Sequence, residues 1–183
     1  MRRLTLIAAR AAALASLAVA PAQAALTPGA KAPNFTTRGA IAGKPFTVTL
    51  AEQLKKGPVV LYFFPAAFTS GCSAEARAFA EKIDAFKAAG ATVIGMSADP
   101  VDVLAKFSAA DCAGKFAVAT ADPALIQAYD VALGRSIPGH GPVSNRTSYV
   151  IARDGRIAYA HSEMSPVDHV TNTLAEVKKL KGR

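Results

Sequence analysis

The stretch Pro58-Val59-Val60-Leu61-Tyr62-Phe63-Phe64-Pro65-Ala66-Ala67-Phe68-Thr69-Ser70-Gly71-Cys72 carries two patterns that meet at a turn. Its first part is a continuous apolar run with proline at each side, the pattern of a central strand buried on both faces. From Cys72 the period changes: Cys72, Ala76, Phe79, Ile83 and Phe86 follow at spacings of 4, 3, 4 and 3, one face of a helix, and Gly90 suits the position just past its end. A thiol therefore falls in the first turn of a helix that follows a buried strand. Free N–H groups and the positive end of the helix dipole favour the thiolate there. Thr69 and Ser70 are candidate caps, and either hydroxyl is placed to reach a small polar substrate. The plain alternative makes Cys72 a small apolar member of the stripe. Spacing alone leaves both readings open.

Working outward, Ala25–Lys44 is rich in Gly, Pro and Thr and suits short strands and turns. Thr92–Ser97 and Phe116–Thr120 read as strands, with short helices over Val101–Ala110 and Pro123–Tyr129. Thr147–Ala152 and Arg156–Ala160 form a hairpin across Arg153-Asp154-Gly155. A last helix is expected from Ser165-Pro166, with Val167, Val170, Leu174 and Val177 as its stripe. Strands alternating with helices and ending in a hairpin predict an α/β sandwich around a central mixed sheet. No repeat or linker interrupts it, so one domain is expected over residues 25–183.

The composition excludes several function classes. Of 183 residues, 51% are hydrophobic and 19% charged, enough apolar surface to bury a core. The formal charge is +8, but the basic residues are scattered, without the clustered stripe that nucleic acid requires. Two cysteines, Cys72 and Cys112, exclude a disulfide-dense mini-fold and every multi-cysteine zinc pattern. Residues 1–24 read as a secretory leader: Arg2 and Arg3 begin it, Ala11–Ala20 is its apolar region, and cleavage is expected after Ala24. Export to an oxidising compartment, the periplasm, follows, with no stable membrane association.

Pro65-x-x-x-Thr69-x-x-Cys72 resembles the P-x-x-x-T/S-x-x-C signature of the peroxiredoxins, the alkyl hydroperoxide reductase and thiol-specific antioxidant family. Gly29-Ala30-Lys31-Ala32-Pro33-Asn34-Phe35 is similar to the family's opening G-x-x-A-P-x-F. Arg146, ahead of Tyr149, Ile151 and Gly155, matches its R-x-x-F/Y-x-I/V-x-x-x-G hairpin. The Q-type or bacterioferritin-comigratory subgroup is the nearest match. The resemblance implies a thioredoxin-like fold and a thiol-dependent peroxidase that acts on hydrogen peroxide and organic hydroperoxides without metal, haem or flavin. It implies that Cys72 is the peroxidatic nucleophile and passes through a sulfenic acid. Arg146 would lie against the thiolate, the Thr69 hydroxyl would orient the peroxide, and Pro65 would wall off the pocket. Glu75 corresponds to an acid of the subgroup; its alternative is an exposed first-turn glutamate favoured by the helix dipole.

The chain departs from the family in its resolving cysteine. Many Q-type members carry one five residues after the first, where this chain has Arg77. Cys112 is the remaining candidate for a disulfide with Cys72, whose formation would require local unwinding of the Cys72 helix. Two alternatives stay open: Cys112 as a bystander in a one-cysteine enzyme, or a permanent structural bond closing a loop of about 41 residues and contributing about 4 kcal/mol. The reductant is expected to be a thioredoxin-like protein or a low-molecular-weight thiol, and the assembly a monomer or homodimer. A redox sensor or chaperone-like protein on the same fold is the rival function. His140, His161 and His169 lack metal-ligand spacing and read as surface or satisfied histidines. Gly139-His140-Gly141 reads as loop leading to Arg146, and the absence of Cys-x-x-Cys argues against a disulfide oxidoreductase.

Overall fold

A computed structural model describes residues 25–138 and 140–181. The leader read over residues 1–24 lies outside the described residues, as does Gly139. Fourteen elements follow in chain order: β1 (Thr36–Ile41), β2 (Lys44–Thr49), α1 (Leu50–Lys56), β3 (Val59–Phe63), α2 (Ser70–Ala88), β4 (Thr92–Ser97), α3 (Val101–Ala110), β5 (Ala117–Thr120), α4 (Pro123–Ala128), β6 (Ala132–Ser136), β7 (Pro142–Ser144), β8 (Thr147–Ile151), β9 (Ile157–Ser162) and α5 (His169–Lys181).

Seven strands form one sheet in the order β2-β1-β5-β4-β3-β8-β9. β3, β4 and β5 are parallel, while β8 runs antiparallel to β3 and β1 antiparallel to β5, so the sheet is mixed as expected. β3 lies inside it, and its apolar run divides by the alternation of strand side chains. Val60 and Tyr62 enter the core beneath α2, α3 and α5; Val59, Leu61 and Phe63 enter the opposite core with Leu125, Ile126 and Tyr129. Gly95, opposite Tyr62 on β4, leaves space that the tyrosine ring fills, since a Cβ there would meet it at 2.8 Å.

The helix stripe from Cys72 to Phe86 is buried throughout, and Gly90 takes a positive φ of 82° just past the end of α2. α2 starts at Ser70, which places Cys72 in its first turn as expected. Other boundaries differ from expectation. β2, α1 and the small β6–β7 pair have no counterpart in the sequence reading. The last helix begins at His169 rather than Ser165-Pro166: Pro166 sits in a bend and Val167-Asp168 form a turn, Val167 is 73% exposed, and the buried face starts with His169 and Val170.

Candidate active site

β3 ends at Phe63 and α2 starts at Ser70, so residues 64–69 form the bend between sheet and helix. The side-chain oxygen of Asp99 pins this bend by accepting from the Ala67 N–H at 2.7 Å and from Ser97 Oγ at 2.8 Å. On the other side Ser144 Oγ, on β7, donates to the Phe64 carbonyl at 3.0 Å. Pro65 is buried within the bend, and Phe68 holds a left-handed φ of 64°. A bulky residue rarely adopts that conformation unaided. Its half-exposed ring packs edge-on against Phe107 of α3 at 5.3 Å, while Phe107 also stacks on Phe64 at 5.4 Å.

Cys72 is the third residue of α2 and is 1% exposed. Thr69 occupies the N-cap position in extended conformation, yet its side chain makes no capping bond. The bend turns the hydroxyl back toward the loop, where it donates to the Ala66 carbonyl at 2.9 Å. The expected Thr69 cap is thus corrected, and the hydroxyl keeps its lone pairs for an incoming donor.

Arg146 directly precedes β8. Pairing of Thr147 with Phe63 carries it to the end of β3 where α2 begins. All three guanidinium nitrogens are engaged. Nη2 donates to Cys72 Sγ at 3.4 Å, Nε donates to the Met164 carbonyl at 3.0 Å, and Nη1 donates to Glu75 Oε2. Gly71 allows this close approach: a Cβ there would stand 3.3 Å from Nη2. Burial alone would lower the Arg146 pKa, but Glu75 and Cys72 outweigh it and raise it.

Glu75, one turn beyond Cys72, is 1% exposed, so the exposed first-turn reading does not hold. Burial pushes its carboxyl up to about 7 against the opposing pull of Arg146. His169 is fully buried and hydrogen-bonded, which places it among satisfied rather than surface histidines. A groove of about 250 Å³, lined by Leu133, Asn145, Arg146, Ser162, Glu163 and Met164, opens beside the arginine.

Cys112 lies in the turn after α3, 0% exposed, and both cysteines are free thiols within the same apolar core. Burial raises the Cys112 thiol far above its ordinary value, with neighbouring Asp111 adding to the effect. The turn is tied to α2 through Asp111, which accepts from Ser73 Oγ at 2.7 Å and from Arg77 Nη2 at 2.6 Å. Arg77, at the position where many Q-type members place a resolving cysteine, thus fastens the segment that carries Cys112.

The AhpC/TSA family profile matches residues 28–160. The chain belongs to this family. Peroxiredoxin Q of Triticum aestivum, a chloroplastic protein, is 32% identical over 158 residues, covering 83% of this chain and 67% of the wheat protein. The crystal structure of peroxidoxin BcpB from Mycobacterium tuberculosis superposes with a TM-score of 0.72 at 29% identity, covering 84% of this chain and 97% of that one. Peroxiredoxin Q of Xanthomonas campestris gives a TM-score of 0.66 at 25% identity, over 79% and 90%. The chain is a Q-type peroxiredoxin with the thioredoxin-like fold, and thiol-dependent peroxidase activity follows from that membership. Asp99, Asp111, Gly71 and His169 take no part in the family signature quoted above. Asp99, Asp111 and His169 reach this peroxiredoxin's site only through folding, whereas Gly71 adjoins Cys72 in the sequence.

Proposed function

We propose that Cys72 is the peroxidatic nucleophile of a periplasmic peroxidase for hydrogen peroxide and small organic hydroperoxides. Its thiolate attacks the terminal peroxide oxygen: an S–O bond forms, the O–O bond breaks, and the departing oxygen takes a proton to leave as water or alcohol. Arg146 donates to the sulfur in the resting state and steadies the charge that develops along the S–O–O axis. The Thr69 hydroxyl, already donating to Ala66, accepts from the peroxide O–H and orients it. Pro65 closes the buried side of the pocket. The observation that carries this assignment is the 3.4 Å contact between Arg146 Nη2 and Cys72 Sγ at a helix N-terminus.

Cys112 then resolves the sulfenic acid. Its sulfur displaces the hydroxyl as water, and the Cys72–Cys112 disulfide is reduced by a thioredoxin-like protein or a low-molecular-weight thiol. Because Cys112 is buried and held by the Asp111 tie, this step requires the first turn of α2 and the turn after α3 to separate from their present packing. The leader over residues 1–24 directs the protein out of the cytoplasm. A mature N-terminus at Ala25 in a periplasmic fraction would establish that.

The decisive experiment is the intact mass of reduced, leader-free protein after one equivalent of hydrogen peroxide, with the modified residue mapped by peptide analysis. Loss of two hydrogens at Cys72 and Cys112 supports the two-cysteine cycle. One added oxygen retained on Cys72 removes Cys112 from it, and no change at either cysteine overturns the assignment. A redox sensor would be oxidised once without turning over when supplied with reductant.

A further inference from the structure

Behind the Arg146–Cys72 contact lies a second group of polar side chains to which peroxide chemistry assigns no task. His169 opens α5 with its imidazole 0% exposed. Its Nε2 lies 2.9 Å from the Glu163 carbonyl oxygen, an acceptor only, so Nε2 carries a proton. Its Nδ1 meets Ser148 Oγ at 2.8 Å and stands 3.8 Å from Glu75 Oε1. That carboxyl oxygen is buried and has no hydrogen-bond partner among the described residues, whereas Oε2 is held by Arg146.

An ionised Glu75 facing a neutral imidazole would set two lone-pair-bearing atoms against each other away from water. One proton removes that repulsion: on Glu75 Oε1, with the Ser148 hydroxyl donating to Nδ1, or on His169 Nδ1, with Ser148 Oγ accepting; at 3.8 Å the carboxyl and the imidazole do not bridge it by a hydrogen bond. The neighbours decide which. Arg146 lies against Glu75, the His161 ring on β9 approaches that of His169 at 4.6 Å, and Glu163 and Asp168 flank the start of α5. Burial and a helix N-terminus both oppose an imidazolium, so the proton resides on the carboxyl.

We propose that His169 is a positioning residue for peroxide reduction: its neutral imidazole, held by Ser148 and Glu163, backs a protonated Glu75 carboxyl whose other oxygen anchors Arg146 against Cys72. This rests on the reading of Cys72 and Arg146 as the reacting pair. While the carboxyl proton is present, Glu75 is neutral and the guanidinium charge is directed at the sulfur. Once it is lost, the carboxylate competes for the guanidinium, and the peroxidase rate falls on the alkaline side.

The test begins with the unaltered protein. Infrared difference spectra across pH should contain a protonated-carboxyl band that is absent in Glu75→Gln and shifted in Ser148→Ala. Histidine nitrogen shifts should report His169 as the neutral Nε2–H form. Absence of the carboxyl band, or an imidazolium at neutral pH, would overturn the protonated Glu75. Next, His169→Leu should lower the second-order rate with hydrogen peroxide about tenfold and displace the alkaline limb of the pH–rate profile. His169→Asn, which keeps a polar atom near the Nδ1 position, should recover most of the loss. A folded His169→Leu protein with an unchanged profile would overturn the positioning role. A carboxyl band present in a protein that does not turn over peroxide would leave the proton pair standing and remove the peroxidase assignment instead.

Discussion

Arg77 and Asp111, 34 positions apart, meet at 2.6 Å and join α2 to the turn that holds Cys112. Arg77 is 66% exposed, so this half of the tie is screened and worth under about 1 kcal/mol. The Ser73–Asp111 bond is buried and contributes about as much again. Releasing the tie should speed the closure of a Cys72–Cys112 bond without altering the first attack on peroxide. Arg77→Ala is expected to raise the rate of disulfide formation about fivefold, the factor that corresponds to 1 kcal/mol. Quenched samples analysed by mass measure it directly; a slower closure would show that the tie guides Cys112 rather than restraining it.

Cys112→Ser should leave the consumption of the first peroxide equivalent unchanged and transfer resolution to an external thiol. With limiting reductant, the variant should collect sulfinic acid on Cys72 over fewer cycles than the wild type. Equal over-oxidation in both would remove Cys112 from the cycle. Cys72→Ser should abolish consumption in either background.

Replacing Arg146 separates charge from geometry. Lysine keeps one positive charge but cannot reach Cys72, Glu75 and the Met164 carbonyl at once. Arg146→Lys is expected to lower kcat/KM for hydrogen peroxide by about tenfold to a hundredfold, roughly 1.4–2.7 kcal/mol of transition-state stabilisation. Arg146→Ala also leaves the buried Glu75 carboxyl without its partner, and a loss of about 1–3 kcal/mol in chemical denaturation is expected. Wild-type kinetics in the lysine variant would mean that charge alone suffices.

At Gly71, stability and activity should move in opposite directions. Alanine in a helix is favoured over glycine by about 0.5–1 kcal/mol, so Gly71→Ala should raise the melting temperature by a few degrees. Its Cβ would stand 3.3 Å from Arg146 Nη2, and the guanidinium must give way by a few tenths of an ångström. Slower peroxide reduction in a more stable protein is the expected pair of results. Unchanged kinetics would show that the arginine yields without cost.

Glu75 and His169 should produce a window of pH in which their contributions to stability cancel. The carboxyl is raised from 4.5 to about 7 on folding, so its contribution is present below 4.5 and lost as pH rises toward 7. The imidazole is lowered from 6.5 to about 4, chiefly by burial, so its contribution is present above 6.5 and lost as pH falls toward 4. Between these limits the folded pair holds its proton on the carboxyl and the unfolded pair on the imidazole, an equal count. Glu75→Gln should therefore expose a rise in stability with pH over this range, and His169→Asn a fall, each at most about 1.4 kcal/mol per pH unit. Denaturation curves across pH check both signs; parallel slopes in the two variants would contradict the pairing.

β3 and α2 were legible because each satisfies one period without competition: every β3 residue is buried, and the stripe from Cys72 to Phe86 faces one core. β6 was not, since four of its five residues are exposed and its order comes from pairing with β7. Ser165-Pro166 carries the local signature of a helix start, but tertiary packing overrides it by burying His169 instead of Val167. At the site, Cys72 and Arg146 belong to spacings that a sequence displays. Asp99, Asp111 and His169 act as single side chains brought in from other elements. Their task is defined by what they touch, and no period or motif records it.

Phe107 has a consequence for the order of events. Its ring supports Phe68, whose left-handed backbone borders Thr69, and its carbonyl accepts from the N–H groups of Asp111 at 2.9 Å and Cys112 at 3.3 Å. Any displacement of the end of α3 that frees Cys112 also withdraws the support under Phe68, leaving that residue free to relax from its unfavoured conformation. On the proposed cycle, the substrate pocket and an exposed Cys112 thiol are then mutually exclusive states of one hinge: a chain closing a Cys72–Cys112 bond has already dismantled the place where a second peroxide would bind.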